Sequence, residues 1–277
     1  MTWRIRVRHS SGFRYAEPVQ ASYNEARITP QSTPSQITLA SAVDILPAAP
    51  PYRYWDYWGT LVHAFEVNTP HQELTVVGTS TVETSDVDGP DESTGWDSVE
   101  GEHDRLAEYL APSTYVPAHE DITAWASTFR QSAPVPTVAS VLEGIGDRLD
   151  YVKGVTRVST SALEVFHHGK GVCQDFAHLS LGALRTVGIP ARYVSGYLYP
   201  VASATVGQSV VGESHAWIEA WLGDWYAYDP TNGSRVGQRH VLVARGRDYR
   251  DVSPLRGVYS GRRAEKLAVS VELTRTG

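Results

Sequence analysis

The first third of the chain alternates apolar and polar residues with the period of a β-strand. In "TWRIRVRH", residues 2–9, the apolar side chains fall on one face and the arginines on the other, which is typical of a half-buried strand. Residues 36–46, 61–68 and 73–84 carry further strand-forming runs, separated by turns that contain proline or glycine. The pattern predicts an N-terminal antiparallel β domain over residues 1–88.

An acidic stretch, residues 89–103, follows these strands and contains few apolar residues. Its composition indicates a linker or a long surface loop. Beyond this stretch the apolar spacing becomes helical. Helices are predicted over 104–112, 118–132, 136–152 and 161–168. Ser161 and Glu164 form the S-x-x-E pattern of a capping box at the start of the last one.

A longer helix is predicted over residues 173–187, which carry one mostly apolar face at helical spacing. Gly188 and Pro190 end this helix. Strands are then predicted over 191–200, on both sides of a Gly-Asp turn within 213–229, over 240–246 and over 267–274. Helices followed by an antiparallel sheet predict an α+β domain over residues 104–277, with the helices packed on the sheet.

Charge and composition exclude several classes of protein. The formal net charge of −7 argues against a general nucleic-acid binder. The single cysteine excludes an intramolecular disulfide and a cysteine-rich zinc site. The N-terminus lacks the apolar core of a signal peptide, and no run of about 18 apolar residues occurs. We therefore expect a cytoplasmic protein without a membrane partner; the oligomeric state stays open.

Cys173 is the only cysteine of the chain and stands at the predicted start of a helix. The dipole and the unpaired N–H groups of a helix N-terminus favour a thiolate. A neighbouring imidazole assists as base or as cation, and a carboxylate orients that imidazole. His215 in "SHAW" and Asp229 in "YDPT" are the candidates for these two groups. Gly171 permits a tight turn and leaves room for a substrate.

The turn between the two predicted strands decides whether His215 and Asp229 can meet. Side chains alternate between faces along a strand. A two-residue turn at Gly223 and Asp224 would put His215 and Asp229 on opposite faces and exclude a triad. An odd loop, for example residues 222–224, makes them diagonal neighbours on one face. The triad hypothesis therefore predicts an odd loop or a bulge here.

These residues lie in motifs with a family resemblance. The segments "GVCQDFAHL", "GIPARYVSGY", "SHAWIEAW" and "DPTNG" resemble the bacterial transglutaminase-like family of the papain-type superfamily. The resemblance covers residues 150–235, and the N-terminal β region resembles the β domain that precedes the catalytic domain in many bacterial members. It implies a papain-like, transglutaminase-core fold in which Cys173 is the nucleophile, His215 the base and Asp229 the orienting carboxylate. The segment 200–213 is a long insert and a candidate wall or lid of the cleft.

The implied chemistry is acyl transfer from an amide or peptide substrate through a Cys173 thioester. Water or a second amine resolves the thioester. Hydrolysis by a peptidase or amidase is favoured because water is the default acceptor, and a protein-glutamine transamidase is the alternative. The backbone N–H of Cys173 is the natural first donor to the oxyanion. Gln174 and Tyr151 are the candidates for the second donor, and no cofactor is expected.

Several residues have structural interpretations beside functional ones. Trp217 either covers the imidazole or packs in the core. Asn232 either orients the loop after the carboxylate or only forms a turn. The adjacent histidines 167–168 diverge on a helix, so we interpret them as solvated or as favourable charges at the helix C-terminus. Asp175 is interpreted as stabilising the first turn of its helix, and His178 as a packing or surface residue.

Two other classes of function are considered. A transglutaminase-like fold can serve as a non-catalytic interaction module with a thiol of ordinary reactivity, but the complete triad argues against this. A metal-dependent hydrolase needs several converging ligands, and the sequence has neither an HExxH motif nor a cysteine pair. No acidic loop of the EF-hand type occurs either. We therefore predict no metal.

Overall fold

The computed structural model describes residues 2–212, 214–261 and 264–277, with the backbone alone for residues 264–267. Its strands, in chain order, are β1 (Thr2–Val19), β2 (Ser22–Ala26), β3 (Gln36–Leu46), β4 (Tyr52–Trp55), β5 (Leu61–Val67), β6 (His71–Ser85), β7 (Asp150–Tyr151), β8 (Lys170–Gly171), β9 (Ala191–Leu198), β10 (Ser209–Gly212), β11 (Ser214–Trp221), β12 (Trp225–Asp229), β13 (Ser234–Arg235), β14 (His240–Gly246), β15 (Leu255–Tyr259) and β16 (Ala264–Arg275).

The helices are α1 (Trp96–Glu100), α2 (Glu120–Ser127), α3 (Pro134–Arg148), α4 (Ala162–His168), α5 (Cys173–Thr186) and α6 (Tyr249–Val252). Helix α4 begins at the predicted capping box of Ser161 and Glu164, and ends at Gly169 with a left-handed φ of 67°. Within the described ranges, no helix is both long enough and apolar enough to cross a membrane.

Strand β1 is the central strand of a five-stranded antiparallel sheet with the order β10-β16-β1-β6-β3. Its first half alternates between exposed and buried residues, which confirms the predicted pattern, and Trp3, Ile5 and Val7 lie in the core. A second antiparallel sheet has the order β15-β2-β5-β4. The aromatic segment 52–55 forms its edge strand, paired with β5.

The last strands of the chain return to the N-terminal sheets. Strand β16 pairs with β1, β15 pairs with β2, and β10, from the predicted insert at 200–213, pairs with β16. Glu213 of that insert lies outside the described residues. The sequence analysis grouped residues 104–277 into one domain, whereas the pairing assigns β15 and β16 to the N-terminal sheets. Strand alternation shows which face is buried, but it does not identify the partner strand.

The acidic stretch 89–103 is only partly a linker. It contains α1, whose Val99 is buried against Leu106 and Trp221. One apolar residue at the right place is enough to dock this short helix, although the surrounding composition is acidic. The helix predicted next is reduced to a single 3-10 turn over residues 107–109.

The sheet that positions the candidate site has the order β13-β12-β11-β9-β14, with antiparallel neighbours throughout. Helix α5 packs against this sheet in the main hydrophobic core. Its predicted apolar face is buried there and carries Phe176, Ala177, Leu181 and Leu184. The structure is therefore a sheet-rich α+β fold, as the sequence predicted.

Two buried histidines make the fold sensitive to acid. His9 bonds the hydroxyl groups of Tyr197 and Ser11, and the ring of His178 accepts the Tyr249 N–H. Burial lowers the pKa of His9 to about 4 and the pKa of His178 to about 3. Both stay neutral in the fold but take up protons in the unfolded chain below about pH 6.5.

We expect the free energy of unfolding to fall as the pH drops below about 6.5, by about 1.4 kcal/mol per pH unit for each of these histidines. Urea unfolding at about pH 7 and about pH 5 measures this slope. His9→Gln should make the slope shallower, whereas His168→Gln, an exposed control, should leave it unchanged. An unaltered slope in His9→Gln would contradict the assignment.

Candidate active site

Cys173 is the first residue of α5 and follows Val172, which has an extended backbone. The turn before it is held by Asp175, whose Oδ2 accepts the Val172 N–H at 2.7 Å and the Thr156 hydroxyl at 2.6 Å. This is the first-turn role predicted for Asp175. A Cβ at Gly171 would lie 2.5 Å from the Asp175 Cβ. A side chain at position 171 would collide with Asp175, so glycine is required in the turn that leads to Cys173.

The hairpin between β11 and β12 has the odd loop that the triad hypothesis requires. Trp221 lies opposite Trp225, and Ile218 lies opposite Tyr228. Three residues, 222–224, therefore form the loop, and Gly223 adopts a φ of 90°. This register places His215 and Asp229 on the same face of the sheet, as predicted.

His215 interacts with both Asp229 and Cys173. The His215 Nε2 lies 2.7 Å from the Asp229 Oδ2, and the Cys173 thiol is near enough to raise the pKa of the imidazole. Asp229 is fully buried, while Cys173 and His215 are partly exposed. The structure thus places the three predicted residues together, with the thiol and imidazole accessible and the carboxylate enclosed.

The Asp229 carboxylate is surrounded by donors. Its Oδ1 accepts the backbone N–H groups of Thr231 and Asn232 at 3.1 and 3.2 Å. Its Oδ2 accepts the Asn232 side-chain amide at 2.7 Å. Burial opposes ionisation, yet hydrogen bonds from His215, His240 and Asn232 hold the pKa of Asp229 well below its usual range. Asn232 therefore contacts the carboxylate directly, beyond any role in the turn.

The same contacts act on the imidazole. Burial lowers the pKa of His215, but hydrogen bonds to Asp229 and Cys173 outweigh burial and raise the pKa to about 9. His215 therefore carries a proton at neutral pH, next to the thiol. An imidazolium in this position stabilises a thiolate.

His240 is the one member of the cluster that the sequence analysis missed as a site residue. It begins β14, and its Nε2 lies 3.2 Å from the Asp229 Oδ2. In the sheet, β11 and β9 separate β14 from β12. Neither strand alternation nor hairpin register predicts a contact between strands so far apart in one sheet. The only available signal was one more histidine in the C-terminal half of the chain.

Trp217 fulfils both roles considered for it. Its ring centroid lies 6.2 Å from that of His215 and 5.3 Å from that of His240, edge-on to the latter. It is also buried with Val194 and Leu242 in a small apolar cluster. Trp217 therefore packs against the two imidazoles as part of the core.

The structure places the two predicted oxyanion candidates near the nucleophile without testing their role. Gln174 is buried and donates its side-chain amide to the Val158 carbonyl at 3.0 Å, which ties the preceding loop to α5. Tyr151 is 46% exposed and pairs with Gly171 in the short parallel ladder of β7 and β8. Their contribution to an oxyanion site stays a prediction.

The remaining histidines lie apart from the triad. His167 is exposed and lies 3.3 Å from a carboxylate oxygen of Asp121, and His168 is exposed at the end of α4. His178 is fully buried, with Tyr115 stacked on one side and Tyr193 tilted against it. Its predicted packing role is therefore the observed one.

One group of potential metal ligands occurs among the described residues. The ligand atoms of His215, Asp229 and His240 lie within 4.8 Å of one another. The two imidazoles are already hydrogen-bonded to the carboxylate, His215 at 2.7 Å and His240 at 3.2 Å. The arrangement fits a carboxylate that receives two imidazole N–H donors.

Comparisons with known proteins agree with this geometry. Family models described as "Bacterial transglutaminase-like N-terminal region" and "Transglutaminase-like superfamily" match residues 5–83 and 123–230. An uncharacterised protein of Mycobacterium leprae (strain TN) is 46% identical over 276 residues, 99% of each chain. An uncharacterised protein of Mycobacterium tuberculosis (strain ATCC 25618 / H37Rv) is 33% identical over 297 residues, which cover 98% of this chain and 93% of that protein.

A solved structure shares the whole fold. The crystal structure of a Cytophaga hutchinsonii protein, provisionally described as a cysteine protease, has a TM-score of 0.75 and covers 100% of this chain and 98% of its own. The two sequences are 19% identical. At this identity the likeness is one of fold.

Proposed function

The chain belongs to the bacterial transglutaminase-like family, and from that premise we propose that it transfers acyl groups from peptide or protein amides through a Cys173 thioester. The observation that carries this proposal is the arrangement at the N-terminus of α5, where Cys173 interacts with His215 and His215 is hydrogen-bonded to Asp229. A thiolate beside an imidazolium is a nucleophile suited to amide carbonyls.

In the first half of the reaction, the Cys173 sulfur attacks the carbonyl carbon, and the carbonyl electron pair moves to oxygen. The N–H groups of Cys173 and Gln174 lie in the first turn of α5, where the helix offers them no partner, and they are available to hold the oxyanion. When the intermediate collapses, the C–N bond breaks and His215 gives its proton to the leaving amine.

In the second half, neutral His215 takes a proton from the incoming acceptor, which attacks the thioester, and the Cys173 thiolate leaves. Asp229 stays ionised and orients the imidazole in both halves. We propose hydrolysis as the main outcome because water is the most abundant acceptor. Transfer to an amine, as in a protein-glutamine transamidase, is the second candidate and uses the same thioester.

Alkylation by iodoacetamide, followed by intact mass, tests the Cys173–His215 pair without a known substrate. We expect the wild-type rate to change little between about pH 6 and about pH 8, where the rate of a free thiol rises about tenfold per pH unit. His215→Ala should slow the reaction at about pH 6 by about 30-fold or more. His167→Ala, an exposed control, should behave as wild type. A wild-type profile like that of a free thiol would instead favour the interaction module.

A peptide library then distinguishes the two acceptors. Peptides that contain glutamine and internal amide bonds are incubated with the protein, with and without a primary amine, and analysed by mass spectrometry. Cleavage or deamidation that is insensitive to the amine supports hydrolysis, whereas products that carry the amine identify transamidation. Both reactions should disappear in Cys173→Ala.

A further inference from the structure

We propose that His240 is a positioning residue of the triad, which holds the Asp229 carboxylate through the same oxygen that binds His215. This inference rests on the proposed function and deepens it, because it adds a second imidazole to the support of the nucleophile. His240 does not touch Cys173 in this role and acts only through Asp229.

The partners of His240 determine which of its nitrogens carries the proton. Its Nδ1 accepts the backbone N–H of Gly237 at 3.3 Å, so the proton of the neutral ring lies on Nε2. The Nε2–H group then donates to the Asp229 Oδ2 at 3.2 Å. Burial, opposed by the hydrogen bond to Asp229, lowers the pKa of His240, so the ring is a neutral donor. It therefore supports the carboxylate without competing with the charge of His215.

A neutral donor supports Asp229 whether or not His215 carries its proton, and the need is plain once His215 has given the proton away. Asp229 is then a fully buried carboxylate without an ion-pair partner, and such a group is costly unless hydrogen bonds satisfy it. His240 and Asn232 donate to Oδ2 in both protonation states of His215. They keep the carboxylate ionised and aimed at the imidazole through the whole cycle.

The N-terminal sheets help to fix His240. The side chain of Gln36 accepts the Leu242 N–H at 2.7 Å and donates to the Leu242 carbonyl at 2.8 Å, two residues after His240 in β14. Thr84 donates its hydroxyl to the Gln238 carbonyl, two residues before it. The N-terminal unit therefore holds the chain on both sides of His240, which gives this unit a role in the active site.

The space beside His240 permits a direct test. His240 and Trp217 line a cavity of about 490 Å³ that lies between the 84–88 segment and the catalytic sheet. This cavity is large enough to admit imidazole to the position of a deleted His240 ring. If His240 only filled space, added imidazole would not restore the rate of Cys173 alkylation in a variant that lacks the His240 ring.

The test uses the rate of Cys173 alkylation by iodoacetamide at about pH 6. His240→Met, which fills the space but donates nothing, should lower the rate about tenfold. His240→Gln, whose amide nitrogen stands close to the position of Nε2, should recover most of that loss. His240→Gly should be slow alone and accelerate when imidazole is added, whereas imidazole should not accelerate His240→Met.

Each outcome decides the proposal. Equal rates in wild type and His240→Met overturn it, as does a Gln variant as slow as the Met variant in a protein whose thermal unfolding is unchanged. If the Met variant does not fold, the Gln variant and the imidazole response of His240→Gly decide in its place. An unreactive Cys173 in wild type would instead refute the proposed function, so the two failures are distinguishable.

Discussion

Replacing Asp229 with asparagine is expected to lower kcat/KM for amide hydrolysis by about 10³- to 10⁴-fold while the protein stays folded. The amide has the shape of the carboxylate but no charge. Without that charge, burial dominates and the pKa of His215 should fall from about 9 to below its ordinary value. The imidazolium beside the Cys173 thiol is then lost at neutral pH, and the loss appears mainly in kcat because Asp229 is buried.

The measurement combines peptide turnover with the pH profile of Cys173 alkylation, which reports His215 directly. Asp147→Asn makes the same chemical change at an exposed position on α3 and should leave both readouts unaltered. A loss of turnover accompanied by an unchanged alkylation profile would show that Asp229 acts on substrate binding or on a later step. That result would remove the carboxylate from the activation of the thiol.

The meeting of His215 and Asp229 could be predicted because it depends on local geometry. Side-chain parity along two strands, together with one turn length, determines whether they share a face. The observed loop of 222–224 satisfies this condition. The start of α5 at Cys173 was predictable for the same reason, since the preceding glycine and the apolar spacing act over a few residues.

Contacts between distant strands could not be predicted in this way. The return of β15 and β16 to the N-terminal sheets depends on which edges are free once the fold has formed, and the sequence of a strand does not encode its partner. His240 was missed for a related reason. It reaches Asp229 although β9 and β11 lie between their strands, so the contact depends on the path of residues 230–239, which link β12 to β14.

Replacing Gly196 with alanine is expected to destabilise the protein by about 2–4 kcal/mol, the largest stability effect of a single added methyl group that we predict. Gly196 lies in β9, paired with His215 on one side and Leu242 on the other. A Cβ there would lie 2.1 Å from the Val241 carbonyl oxygen and 2.5 Å from the Trp217 ring. The carbonyl belongs to the strand ladder and cannot move without breaking it.

Urea unfolding measures the loss, and Gly146→Ala provides the matched control. Gly146 is exposed within α3 and an added Cβ would meet nothing within 4 Å, so this variant should be stabilised by about 0.5–1 kcal/mol. A Gly196→Ala protein as stable as wild type would mean that β14 shifts freely against β9. Such a shift would carry His240 away from Asp229, so a stable variant with slowed Cys173 alkylation would link the packing of this strand to the reactivity of the thiol.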